Sequence, residues 1–140
     1  MNFKRLLITF VVVFIVLVLT NLLIHNVILR HFYESADLKN VWRPDMMSKM
    51  WIMYIVNLIF SFFFVFIFTK GYEGRGIMEG VRYGFYIGCL MAIPAAYSQY
   101  VMYPFPYSLV LQWFIYWMIQ YIILGIFAAL IYKPKPKPAA

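Results

Sequence analysis

Asn21 and His25 interrupt the end of a long apolar run, and they are the first residues in the chain whose types could do chemistry. At helical spacing, side chains four apart share a face, so the pair would present an amide and an imidazole together. An imidazole can hydrogen-bond, hold a metal or haem, or carry a proton. Asn57, Tyr97, Gln112 and Gln120 interrupt other apolar runs. If those runs are antiparallel helices, all six residues fall toward one end, where they would either line a small polar cavity or hydrogen-bond one another. A bis-histidine haem needs a second histidine on a facing surface, but His31 lies beyond Arg30 in a connection. A His25-centred cofactor site would therefore need a methionine or a second copy of the chain. The single cysteine, Cys89, lies inside an apolar run, which leaves no intrachain disulfide and no paired-cysteine metal or redox site. No hydrolase nucleophile has an evident base, and no strand precedes a glycine-rich phosphate loop. The expectation is no catalytic residue, no cofactor and no metal.

Composition dictates the elements that must position these residues. Of 140 residues, 65% are hydrophobic and 12% charged, against about 25% charged in a globular domain. Water cannot solvate such a surface. Four runs have the roughly 20 residues that a helix needs to cross about 30 Å of hydrocarbon: Leu6–Ile24, Met50–Thr69, Tyr83–Tyr103 and Tyr107–Tyr132. They predict an all-α, four-helix transmembrane domain over residues 1–132, an up-down bundle with helices near 6–29, 50–69, 80–103 and 107–132. Residues 133–140, KPKPKPAA, read as a basic, extended tail. Lys4 and Arg5 precede the first run as they would in a signal peptide. That run exceeds the usual apolar core of about 7–15 residues and no small-x-small cleavage site follows, so it reads as a retained helix.

Basic residues set the expected orientation. Lys4, Arg5, Lys70, Arg75, Arg82, Lys133, Lys135 and Lys137 fall on one side, and Arg30, Lys39, Arg43 and Lys49 on the other. Eight against four places both termini in the cytoplasm. Because the bases sit outside the apolar runs, the net charge of +7 reads as a topology signal and not as a nucleic-acid footprint.

In the third run a minimal side chain recurs at every fourth place: Gly80, Gly84, Gly88, Ala92 and Ala96, with Gly76 either extending the series upstream or belonging, with Gly71 and Gly74, to the turn that KGYEGRG resembles. Three helical glycines forfeit roughly 2–3 kcal/mol relative to alanine, so close packing must return at least that. Small residues four apart are the usual means of close helix approach in a bilayer. The fourth run follows a short proline-rich turn and carries Gly125 and Ala129, which makes it the expected antiparallel partner. Pro94 removes one backbone donor and would permit a kink that opens the polar half of the bundle.

Two connections carry charge. In Arg30 to Trp51, Arg30 and Glu34 are four apart, and Trp42-Arg43-Pro44-Asp45 reads as an interfacial anchor followed by a helix start. This segment is expected to lie along the membrane face as a cap or docking surface. In the other, Arg75, Glu79 and Arg82 are spaced to pair along the first turns of the third helix. Trp51 and Tyr54 open the second helix as Trp113 and Tyr116 open the fourth, a faint sign of duplication.

The order IHNVIL, VWRPDMMSKMW, FTKGYEGRGIMEGVRYG and YPFPYSLVLQW resembles a group of short, uncharacterised bacterial four-helix integral membrane proteins, with WRP and EGxRYG the most distinctive pieces. The resemblance spans nearly the whole chain and implies a bacterial inner-membrane location, with no activity attached. In that group the place of Asn21 is often acidic, and this chain lacks the charge. The expected function is association in the lipid bilayer, as a homo-oligomer, with a membrane-protein partner or with lipid. The alternatives are a minimal oligomeric transporter or channel passing His25, Asn57 and Gln120, and a cofactor carrier centred on His25.

Overall fold

The computed structural model describes residues 2–36, 38 and 40–133. The tail expected beyond Lys133, with Lys135 and Lys137, lies outside the described residues, as do Asp37 and Lys39. All regular structure among them is helical: α1 (Phe3–Leu22), continued by a wide turn over Leu23–Ile28, then α2 (Arg30–Tyr33), a tight turn at Met47–Lys49, α3 (Met50–Lys70), α4 (Ile77–Met102) and α5 (Tyr107–Ile131). Three stretches are long and apolar enough to cross a membrane: Phe3–Ile28, Met47–Lys70 and Tyr107–Ile131, of 26, 24 and 25 residues. α4 is as long, at 26 residues, but its glycines and polar residues make it less apolar.

Local chemistry sets the helix ends. Asn2 caps α1, its Oδ1 accepting the Arg5 N–H at 3.2 Å. α4 stops at Tyr103, which is extended because Pro104 follows it. The chain turns through Phe105 and Pro106 directly into α5. Gly76, before α4, has φ +74, a left-handed conformation that glycine adopts without strain. No atom lies within 4 Å of where its Cβ would be, so Gly76 belongs to the loop and does not extend the packing ridge.

Glu79 corrects an expectation. Its carboxylate does not pair with Arg75 or Arg82. One oxygen accepts the Glu73 N–H at 2.6 Å and the other the Arg75 N–H at 2.8 Å, while the Arg75 guanidinium pairs with Glu73 at 2.6 Å. Glu79 is only 8% exposed, and bonds to two convergent N–H groups suit a shielded carboxylate better than a solvated guanidinium does.

α5 packs against both α4 and α1, and α1 against α3. Neighbours run antiparallel. One core cluster joins Leu6, Val13, Leu17, Phe64, Val65, Phe68, Leu124 and Tyr132 near the chain ends. The second lies at the opposite, His25 end and contains Ile24, Leu29, Leu38, Ala96, Phe105, Leu109 and Trp113. Tyr83 of α4 ties α4 to α3, its hydroxyl donating to the Phe64 carbonyl at 2.6 Å.

Between α4 and α5 the backbones touch. A methyl on Gly80 would collide with the Gly125 carbonyl, one on Gly125 with the Gly80 carbonyl, and one on Gly84 with the Tyr121 carbonyl, all closer than real Cβ contacts come. The step of four from Gly80 to Gly84 up α4 is answered by a step of four from Gly125 to Tyr121 down α5. Gly88 differs: its methyl would meet the Met118 sulfur at 2.8 Å, the far part of a flexible side chain. Ala92, Ala96 and Ala129 are buried as well.

α3 is packed along only half its length. Ser61, Phe64, Val65 and Phe68 form its inward face and are buried, Val65 at 0% exposure. The same face further up, at Met53 and Tyr54, is 51% and 49% exposed. Every residue from Met50 to Val56 is exposed. The bundle does open at the His25 end, but at α3; Pro94 lies within a continuous α4.

Candidate functional site at the His25 end

His25 sits in the wide turn, where the Leu29 N–H reaches the Ile24 carbonyl five residues back at 2.9 Å. Such one-residue expansions of a helix recur at functional positions. His25 Nδ1 is 2.6 Å from the Tyr33 hydroxyl, and Trp113 Nε1 donates to the same oxygen at 2.7 Å. An indole N–H only donates, so the phenol proton is the one free to point at His25. Assigned from this network, the imidazole accepts at Nδ1 and carries its proton on Nε2. Burial pushes the Tyr33 phenol up to about 12, against a smaller downward pull from the Trp113 bond, so it stays a neutral donor across the physiological range.

Aromatic rings enclose this chain of bonds. Trp42 meets Tyr33 edge-on at 5.4 Å and lies 5.6 Å from Phe105. Phe105 meets Trp113 edge-on at 5.0 Å, and Trp113 and Trp117 are stacked at 5.9 Å. Trp42, expected to anchor at the membrane face, is instead folded inward with its Nε1 buried and without a hydrogen-bond partner. Its ring finds apolar partners in Tyr33 and Phe105 that a headgroup layer would not supply. Beside the cluster an open depression of about 350 Å³ is lined by His25, Asn26, Arg30, Tyr33 and Glu34.

The six residues expected at one polar cavity are divided. Asn21 and Gln120 meet: Gln120, 3% exposed, donates to Asn21 Oδ1 at 2.9 Å and Thr20 Oγ1 at 2.6 Å, joining α5 to α1. His25 belongs to the Tyr33 network. Asn57 is half-buried on α3 and Gln112 half-buried on α5, and neither takes part in those bonds. Tyr97 stacks at an angle on Phe114, 6.2 Å away. The depression that His25 lines includes none of the other five. Among the described residues, no three His, Cys, Asp or Glu side chains gather as a metal site requires.

In the connecting loop Arg30 and Glu34 form an exposed ion pair at 2.7 Å. Asp45 pairs with Arg43 at 2.8 Å and with Lys49; the Lys49 bond, then the Arg43 bond, hold its carboxyl below the usual range. Sequence reasoning missed Tyr33 and Thr20. Tyr33 follows no periodic pattern, and only its place eight residues after His25, two helical turns on, hints at their meeting.

These features define a chain whose described residues form only helices, three of them long and apolar enough to cross a membrane, with a polar, aromatic cluster at one end. No known family matches the chain, and no curated protein or solved structure is significantly similar to it.

Proposed function

We propose that the chain is a four-pass protein of the bacterial inner membrane, with both termini cytoplasmic, that acts by association through the open half of α3. The partner is a second copy or another membrane protein. Three spans follow from length and composition; support for α4 as the fourth is its uncharged stretch Tyr83–Met102, 20 residues or about 30 Å of helix, and its close packing on α5. Lys4, Arg5, Lys70, Arg75, Arg82 and Lys133 on the Asn2 side, against Arg30, Arg43 and Lys49 on the other, support the orientation, and the location is the one that the resemblance read in the sequence implies. Bonds such as Gln120 to Asn21 and Thr20 act as glue between helices.

The exposure of α3 carries the functional reading. Seven consecutive residues, Met50 to Val56, are exposed all around the helix, at 41–60%, and just below them Asn57 offers an amide with no hydrogen bond among the described residues. An interhelical hydrogen bond in a bilayer contributes about 0.6–2 kcal/mol, so Asn57 gains by meeting another helix. The test is intact-mass analysis from mild detergent, on the wild type and on Asn57→Leu. The wild type is expected as a complex of defined stoichiometry, and Asn57→Leu as mostly single chains with unchanged helix content. A wild type that flies only as a single chain, or a complex indifferent to the substitution, contradicts the reading.

A further inference from the structure

We propose that the depression beside the wide turn of α1 binds the headgroup of a phospholipid carrying both a phosphate and a primary ammonium. The inference rests on the membrane reading above and adds a ligand to it. Arg30 is the first charge after the Phe3–Ile28 span, so the depression lies at the level where headgroups begin. Leu22 at the end of α1 and Leu23 and Val27 in the wide turn are exposed and offer an apolar surface for acyl chains on the span that precedes Arg30. A volume of about 350 Å³ is within the range of small-ligand sites, roughly 300–1,000 Å³.

The lining selects for charge type. Arg30 and Glu34 pair with each other at 2.7 Å, and both side chains are largely exposed, so the site is neutral overall. A purely anionic headgroup that took Arg30 would be left facing the Glu34 carboxylate. A headgroup with both charges inserts into the pair, phosphate on Arg30 and ammonium on Glu34, and leaves no charge alone. His25 has Nδ1 occupied by Tyr33, which leaves the Nε2–H as a second donor to phosphate, and Asn26 contributes an amide from the same wall. A trimethylated ammonium cannot donate a hydrogen bond to Glu34, so phosphatidylcholine should bind less well.

The full-length chain is reconstituted in phosphatidylcholine vesicles doped with phosphatidylethanolamine or with phosphatidylglycerol, and the lipid retained per chain is read by intact mass after mild-detergent extraction. Phosphatidylethanolamine is expected to be retained about tenfold more tightly than either other lipid, the scale of one charge-assisted hydrogen bond. Arg30→Gln should lower that retention about tenfold, and Glu34→Gln should erase the preference over phosphatidylglycerol. Among the described residues these two side chains pair only with each other, so neither variant threatens the fold. Equal retention of the three lipids, or variants that behave as wild type, overturns the proposal. Free phosphoethanolamine competing as effectively as the lipid overturns the lipid assignment in favour of a soluble ligand. A chain that resists alkaline extraction yet shows no headgroup preference sinks this inference alone; a chain released by alkali sinks the membrane reading on which it rests.

Discussion

Gly84→Leu is expected to abolish the folded bundle in micelles or vesicles, while Gly88→Ala leaves it intact. At Gly84 any side chain enters the Tyr121 carbonyl and the Ile122 Cα, and no rotamer change can move backbone aside. The helices must separate along the seam that holds α4 to α5. Overpacking a core costs about 1–3 kcal/mol when side chains can yield, so a clash with main chain should cost on the order of 3 kcal/mol or more. At Gly88 the obstacle is the Met118 thioether, one of the most adaptable side chains. Alanine also returns about 0.5–1 kcal/mol of helix propensity there, so Gly88→Ala should be nearly neutral. Folded fraction against denaturant in a mixed micelle checks both; equal sensitivity at the two positions would mean that the seam is not held by backbone contact.

Glu79→Ala is expected to destabilise the chain by about 3 kcal/mol, the scale of two hydrogen bonds to a charged acceptor at roughly 1.5–3 kcal/mol each, discounted for water reaching the loop. The carboxylate gathers the Glu73 and Arg75 N–H groups and so folds the turn between α3 and α4 against the start of α4. Its loss should free that turn before the bundle opens. Arg82→Ala, which removes a charge that Glu79 does not use, should change stability by less than about 0.5 kcal/mol. Unfolding curves of the two variants, with limited proteolysis at the 71–76 turn, separate this account from a simple charge effect: equal destabilisation by both would contradict it.

Some of this was legible because a residue type has few physical uses. Glycines four apart in an apolar helix are costly unless something comes close, so Gly80, Gly84 and Gly125 could be read before any coordinates. Spacing left Gly76 open between the ridge and the turn, because spacing says nothing about φ, and its φ of +74 places it in the turn. Pairing by charge led Glu79 toward arginines, whereas backbone N–H groups, invisible in a sequence pattern, claimed it.

The opening of the bundle was legible in kind and misplaced in cause. α3 is apolar all round, and lipid and protein interior are equally apolar, so no pattern marks where its packing ends at Asn57. Trp51 and Trp113 show the same limit: they open their helices alike in sequence, yet Trp51 is exposed and Trp113 buried. The Tyr33 network depends on a wide turn and a folded-back loop, and neither leaves a periodic trace. Asn21 and His25, grouped at first by their spacing, were separated by that turn: one faces Gln120, the other Tyr33.

Whether α4, the least apolar long helix, crosses the bilayer beside the other three is the claim from which the rest follows. In a Cys89→Ala background, Arg75→Cys, Tyr103→Cys and Ser35→Cys are labelled one at a time with a membrane-impermeant maleimide in sealed vesicles of known orientation. The account predicts that positions 103 and 35 react from one face and position 75 only from the other. Labelling of 75 and 103 from the same face would contradict it.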